Sequence, residues 1–173
     1  MGYSLSRTDV LAACAQYGAA LAIPTLNGHA IAQALASNES SLGANCGPRH
    51  EPAYDVDGST YNSSPLQRSL VARWGGAAAC SYGPWQMMFI NFPPGTTPGE
   101  LYTRLDLLGS AFVSFFNSYV VGTRHAVTIA DVGQVWNAGH VSLSPAPSVQ
   151  VYVQHLQEAY AQALTASPVS GPS

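Results

Sequence analysis

The chain has 173 residues, of which 47% are hydrophobic, enough for one domain with a hydrophobic core. Only 9% are charged: six arginines, no lysine and nine acidic residues give a formal net charge of −3. Nucleic-acid binding needs clustered basic side chains, so this composition excludes an electrostatic basis for it. We predict one domain over residues 1–165, with residues 166–173 forming a flexible tail or the start of a linker.

Two helices are predicted near the N-terminus. The first covers about residues 8–23 and is followed by a proline, and the second covers about residues 27–38. Ile31, Leu35 and Glu39 recur at intervals of four, which places them on one side of the second helix. Glu39 therefore continues the apolar stripe of that helix and is predicted to face the core.

The rest of the chain reads as a long loop followed by further helices. Residues 40–65 are rich in Gly, Pro, Asn, Asp and Ser, and loops of this length inside a domain are commonly functional. Helices are predicted over 65–74, 98–121 (the longest), 128–137 and 148–165, with a turn and a short helix within 81–92. No strand alternation is evident, so the predicted fold class is all-α.

Cysteines and histidines indicate neither a metal site nor a cofactor. The chain contains no Cys-x-x-Cys and no His-Glu-x-x-His pattern. Cys14, Cys46 and Cys80 are an odd number, which fits either a Cys46–Cys80 disulfide or three reduced thiols. None of the five histidines has ligand spacing, and only His50 and His140 are placed to border a cleft.

Membrane insertion and export are not indicated by the sequence. The apolar run over 107–121 is short for a bilayer span and is interrupted by Ser, Gly and Asn. The N-terminus has no basic segment leading into an apolar stretch, so no signal peptide is visible. We expect no stable membrane insertion.

The position of Glu39 at the end of a hydrophobic helix makes it a candidate general acid. The last turn of a helix carries unpaired carbonyls and partial negative charge, which disfavours an ionised carboxylate. Burial beside Ile31 and Leu35 acts in the same direction. A carboxyl group that keeps its proton near neutral pH can donate that proton to a glycosidic oxygen. The alternative is a glutamate that ends a surface helix and faces water.

Four short motifs support the catalytic interpretation by their order. Residues 38–41 read Asn-Glu-Ser-Ser, 81–88 read Ser-Tyr-Gly-Pro-Trp-Gln-Met-Met, 135–139 read Val-Trp-Asn-Ala-Gly, and 152–153 read Tyr-Val. This order resembles the lytic transglycosylases of the soluble (SLT) type, which are related to goose-type lysozyme. That family carries Glu-Ser, Ser-x-Gly-Leu-Met-Gln-Ile-Met, Ala-Tyr-Asn-Ala-Gly and Tyr-Val. The resemblance covers about residues 27–160 and implies a lysozyme-like, SLT-type helical domain whose irregular loop region lines a glycan cleft.

The resemblance assigns a role to each matching residue. It implies that Glu39 is the catalytic acid/base and that Ser81 lies beside it, near the glycosidic oxygen. Gln86 would contact the N-acetyl group of the substrate, Asn137 would shape the cleft, and Tyr152 would lie close to Glu39.

The chain also departs from the family pattern at aromatic positions. Pro84 and Trp85 replace the usual Leu-Met, and Trp136 replaces the tyrosine before Asn-Ala-Gly. Trp136 loses a hydroxyl and gains stacking area, which suits either a platform for a sugar ring or a core position.

Three further acids lie in the loop after the first motif. Glu51 follows Arg49 in a stretch that resembles an Arg-Tyr-Glu-Pro segment of some phage and bacterial members of this group. Glu51 could be a second carboxylate in the cleft, although a salt bridge that only braces the loop is the simpler interpretation. Asp55 and Asp57 are the other candidate second acids, since aspartates after the catalytic glutamate position water in goose-type lysozymes.

The resulting expectation is an enzyme that cleaves the β-1,4 bond between N-acetylmuramic acid and N-acetylglucosamine in peptidoglycan, without cofactor or metal. A single acid/base favours the lytic transglycosylase reaction and a 1,6-anhydro product. The alternatives are a muramidase that uses an acid within residues 51–57, and a non-catalytic glycan-binding or structural module. The partner would be a glycan strand outside the cytoplasmic membrane, reached by an exported or phage-associated protein that acts as a monomer or as a module of a larger protein.

Overall fold

Seven α-helices and three short strands are present between residues 4 and 166, which is the part of the chain that the computed structural model describes. The helices are α1 (Arg7–Gly18), α2 (Gly28–Ser40), α3 (Ser59–Ser63), α4 (Pro65–Trp74), α5 (Leu105–Phe115), α6 (Ile129–Ala138) and α7 (Pro147–Ala166). The strands are β1 (Arg49–His50), β2 (Cys80–Tyr82) and β3 (Met87–Met88). The chain is mostly helical, as predicted, and the predicted tail after Ala166 lies outside the described residues.

The prediction of one helix over 98–121 was wrong in its bounds. A single turn of 3-10 helix, Glu100–Tyr102, comes first, and α5 begins only at Leu105. Arg104 has a non-helical backbone (φ −93°, ψ 77°), which separates the two segments. After α5 the chain continues as a π-helix over Phe116–Thr123, and the longest helix is α7, with 20 residues.

The prediction that the chain has no strands was also wrong. The strands form an antiparallel sheet in the order β1-β2-β3, in which Ser81 lies opposite both Arg49 and Met88. Of residues 81–92, predicted as a turn and a short helix, 81–88 form a hairpin whose turn carries Gly83 and Gln86 at positive φ, and a short 3-10 helix, Phe89–Asn91, follows. Strands of two or three residues are too short to show alternation, so the sequence carried no signal for them.

Trp85 at the tip of this hairpin anchors the sheet to the helices. Its side chain is fully buried, and its indole N–H donates to the Ala32 carbonyl in α2 at 2.9 Å. Its ring stacks on Phe112 of α5 with 4.5 Å between centroids and meets Tyr17 of α1 edge-on. Because one side chain contacts three helices, the hairpin position is fixed relative to the end of α2.

The helix that continues from Leu105 to Thr123 is long and apolar enough to cross a membrane, by length and composition alone. Of that segment, 33% is buried in the structure, including Leu108, Phe112, Phe116 and Val120. Length and composition alone do not distinguish a membrane span from a helix that packs in the core of a domain.

The three cysteines are free thiols, so the disulfide alternative for Cys46 and Cys80 does not hold. Cys14 and Cys46 are buried, and Cys80 is partly buried. Burial raises the pKa of the Cys14 thiol to about 12, which keeps it protonated and unreactive.

Two glycines, Gly18 and Gly28, let the backbones of α1 and α2 approach each other closely. A Cβ atom added to Gly28 would lie 2.2 Å from the Gly18 carbonyl oxygen, and one added to Gly18 would lie 2.6 Å from the Cα of His29. Both contacts are with backbone, which cannot rotate away. α2 also packs along α7, and α7 packs on α6, so a displacement of α2 would disturb the whole helical layer.

Gly28→Ala should therefore destabilise the protein by about 2 kcal/mol or more, because α1 and α2 must move apart to admit the methyl group. Gly76→Ala is the matched control, since a Cβ there meets nothing within 4 Å. Urea unfolding followed by circular dichroism measures both. Equal midpoints for the two variants would contradict the packing argument.

Candidate functional site

An open cavity of about 530 Å³ lies where the end of α2 meets the sheet, the end of α6 and α7. It is lined by Asn38, Glu39, Arg49, Glu51, Tyr54, Gln86, Met88, Trp136, Asn137 and Tyr152. Six residues were singled out from the four motifs, and all of them except Ser81 are in this lining, although they come from distant parts of the chain: Glu39, Gln86, Trp136, Asn137 and Tyr152.

Glu39 lies in the last turn of α2, with its side chain 7% exposed, as the helical stripe predicted. The helix ends at Ser41, which adopts a left-handed conformation. Two donors hold the carboxylate: the Tyr152 hydroxyl donates to Oε1 at 2.6 Å, and a terminal guanidinium nitrogen of Arg49 lies 3.2 Å from Oε2. Both contacts give the buried carboxylate oxygens hydrogen-bond partners in place of water.

Tyr152 reaches Glu39 from α7, 113 residues further along the chain. Burial raises the pKa of its hydroxyl well above the ordinary value, and the negative charge of Glu39 adds to this. The hydroxyl therefore remains a proton-bearing donor to the carboxylate. The Asn38 side-chain amide also contacts the Tyr152 carbonyl at 3.4 Å, which ties α2 to α7 beside the carboxylate.

Arg49 joins the two carboxylates of the cavity. Its Nε lies 2.8 Å from Oε1 of Glu51, while its terminal nitrogen contacts Glu39. Burial lowers the pKa of the guanidinium, but the hydrogen bonds that it donates to Glu51 and Glu39 and the two negative charges outweigh this and raise it overall. The expected salt bridge between Arg49 and Glu51 is present, and the same guanidinium also contacts Glu39.

Ser81 of β2 and Gln86 of the hairpin turn form a buried polar pair. The Ser81 hydroxyl lies 2.9 Å from Oε1 of Gln86, 3.1 Å from Oε1 of Glu51 and 3.4 Å from the Arg49 carbonyl. The Gln86 amide nitrogen donates to the Gly83 carbonyl at 3.0 Å, which fixes the amide orientation. A serine hydroxyl has one proton, so at any moment it donates to only one of these acceptors.

Ser81 is expected beside Glu39, and among the described residues no hydrogen bond joins these two side chains. Its hydroxyl bonds to Glu51 and Gln86 because the sheet register sets Ser81 opposite Arg49. The guanidinium of Arg49 bonds to both carboxylates, so Ser81 connects to Glu39 only through Glu51 and Arg49.

Of the three candidate second acids, only Glu51 lines the cavity. Asp55 instead pairs with the His50 ring at 2.7 Å, a hydrogen bond that lowers the pKa of its carboxyl. Asp57 is exposed in a turn at φ 68°, outside the cavity. His50 and His140, expected near the cleft, are absent from the described lining of the cavity.

Trp136 and Asn137 continue the cavity into a second groove of about 680 Å³, which is more apolar and includes Met87, Phe115 and Tyr119 in its lining. Trp136 packs edge-on against Phe115 and lines both spaces, so it is at once a core residue and a wall of the groove. Asn137 is exposed in the last turn of α6.

Several lining residues were not predicted from the sequence. Tyr54 lies on a 3-10 turn (Pro52–Tyr54) and borders both spaces, as does Met88 of β3. Tyr119, on the π-helix, donates from its hydroxyl to the Gly139 carbonyl at 3.0 Å and holds the turn that follows Asn137. Met88 belongs to the 81–88 motif, but no role was assigned to it, and Tyr54 and Tyr119 lie outside the four motifs.

Among residues 4–166 there is no cluster of three or more His, Cys, Asp or Glu side chains placed to hold a metal ion. No protein-family model matches the chain, and neither curated proteins nor solved structures give a match. The functional argument therefore depends on the chemistry of the cavity.

Tyr152→Phe should destabilise the protein by about 1–2 kcal/mol, because the buried carboxylate of Glu39 loses its shortest hydrogen bond. Tyr61→Phe, on α3 and away from the cavity, is the matched control. Thermal or urea unfolding measures the difference. A Tyr152→Phe variant as stable as wild type would show that this contact contributes nothing.

Proposed function

We propose that this protein cleaves the glycan strand of peptidoglycan at the β-1,4 bond between N-acetylmuramic acid and N-acetylglucosamine. The observation that carries the proposal is a carboxylate buried at a helix end, open to a polar groove and hydrogen-bonded by a tyrosine from a distant helix. The cavity and the adjoining groove have volumes of about 530 and 680 Å³, and Trp136 and Tyr54 line both, which supplies aromatic side chains where a sugar would bind. An uncharged glycan also fits a chain with few charged groups.

In the proposed reaction, neutral Glu39 donates its proton to the glycosidic oxygen, and the bond from that oxygen to C1 of the muramic acid breaks. The positive charge at C1 is stabilised as an oxocarbenium ion or by the sugar's own N-acetyl group. The Glu39 carboxylate then takes the proton from the C6 hydroxyl of the same sugar as its oxygen bonds to C1. The product is a 1,6-anhydro sugar, and Glu39 is protonated again.

We infer that the helical domain belongs to the lysozyme-like, SLT type. Support comes from the order of the four motifs and from their convergence: Glu39, Gln86, Asn137 and Tyr152 line one cavity although they are far apart in sequence. Such a protein would act outside the cytoplasmic membrane, or from a phage particle, because its substrate lies there.

Hydrolysis is the second candidate, and the position of Glu51 favours it. Glu51 lies in the same cavity as Glu39 and shares Arg49 with it. A second carboxylate across a cleft can activate water for attack at C1, as in inverting glycosidases.

Glu39→Gln should reduce cleavage of purified peptidoglycan by at least about a hundredfold, since the amide can neither donate nor accept the proton. Glu158→Gln, an exposed glutamate of α7, is the charge-matched control. Mass spectra of the released muropeptides give rate and product together. Full activity in Glu39→Gln would refute the site, and tight binding without cleavage by wild type would identify a non-catalytic glycan-binding module.

Glu51→Gln separates the two reactions. The anhydro product, lighter than the hydrolysis product by one water, should persist in this variant if Glu39 alone handles both protons. If wild type releases reducing-end muramic acid and Glu51→Gln loses it by about a hundredfold or more, Glu51 activates water. That result would replace the transglycosylase assignment with a muramidase assignment.

A further inference from the structure

Arg49 holds the two carboxylates of the cavity with contacts of unequal strength. The distance from its Nε to Glu51, 2.8 Å, is in the range of a charge-assisted hydrogen bond, whereas its contact with Glu39, at 3.2 Å, is at the long end. Of the two contacts, the one with Glu39 is therefore the weaker.

Of the three side chains, that of Arg49 is the most exposed to solvent, so it has the most room to move. The side chain of Arg49 is 54% exposed, that of Glu51 is 29% exposed and that of Glu39 is 7% exposed. The backbone of Arg49 is fixed by pairing with Ser81 in the sheet. The guanidinium can consequently swing toward solvent or toward Glu51, while Glu39 stays in place at the end of α2.

The contact with Glu39 opposes the first step of the proposed reaction. A guanidinium cannot give up its proton at ordinary pH, so Arg49 cannot supply the proton that the leaving oxygen needs. As a donor, Arg49 also occupies Oε2 of Glu39, one of the two oxygens that could carry that proton. The contact is therefore compatible with the free protein, whereas the first step of the reaction requires Arg49 to leave Glu39.

We propose that Arg49 is a positioning residue that pairs with Glu39 in the free protein and turns away to Glu51 alone when a glycan enters the cavity. This inference rests on the proposed role of Glu39 as the acid. It implies that glycan binding and the Glu39–Arg49 pair compete, so that part of the binding free energy is used to separate the pair.

Tetra-N-acetylchitotetraose is a suitable probe, because it is uncharged and its affinity does not respond directly to the charge of Arg49. Calorimetric titration of wild type, Arg49→Gln, Glu39→Gln and the double variant forms a cycle. Arg49→Gln should bind about two- to fivefold more tightly than wild type, the range expected for loss of a partly exposed ion pair. Adding Arg49→Gln to Glu39→Gln should then give no further tightening, since the pair is already absent.

Two further variants test whether the effect depends on the bridging geometry of Arg49 and whether removal of any arginine would produce it. Arg49→Lys, which cannot bridge two carboxylates with a planar fork, should lie between wild type and Arg49→Gln. Arg73→Gln removes an exposed arginine that packs on Trp74, away from the cavity, and should leave the affinity at the wild-type value. If Arg49→Gln fails to fold, as judged by its thermal unfolding, Arg49→Lys alone carries the test.

Unchanged or weaker binding by Arg49→Gln and Arg49→Lys would overturn the inference, as would the absence of measurable binding by every variant. On peptidoglycan, Arg49→Gln should lower KM by the same two- to fivefold, whereas a residue that only braces the loop would leave KM unchanged or raise it. The two proposals fail separately: tighter binding by Arg49→Gln with no cleavage by wild type refutes only the enzyme, and cleavage without tighter binding refutes only the role of Arg49.

Discussion

The buried carboxylate of Glu39 is the constraint on which the cavity depends. A carboxylate withdrawn from water at a negative helix end needs donors, and the few charged groups of this chain leave little choice. The donors are Tyr152 from α7 and Arg49 from β1, so the contacts of one side chain tie the end of α2 to the last helix and to the sheet. Three segments far apart in sequence are thus joined at one carboxylate.

The sheet is small, yet its position decides the chemistry of the cavity. Trp85 fixes the hairpin against α1, α2 and α5, and the register then sets Ser81 opposite Arg49. Ser81 brings a single proton to a site with several acceptors, so the hydrogen bonds to Gln86 and Glu51 cannot both be made by it at once. A polar network with this built-in choice can rearrange when a ligand brings new donors.

Helices were predictable where periodicity and capping residues acted together. Asn27 caps α2, and Thr128 and Asp131 form a capping box at the start of α6, so those helices begin near the predicted residues. The segment around Arg104 was mispredicted because the apolar residues on both sides of it, Leu101, Leu105 and Leu108, keep a helical spacing across the break in the backbone. Strands of two or three residues were not predicted, because they are too short to show alternation and are stabilised by tertiary contacts such as those of Trp85.

The sequence by itself determined that the fold is mostly helical and that Glu39 lies on the buried side of α2, because both follow from the local spacing of apolar residues. Only the tertiary structure decided which groups surround that carboxylate. Arg49 lies ten residues after Glu39 in the sequence, and Tyr152 lies 113 residues after it. Whether either side chain reaches the Glu39 carboxylate depends on chain reversals and helix packing. Local patterns report which way a side chain faces, but the partners that it meets are set by contacts between distant segments of the chain.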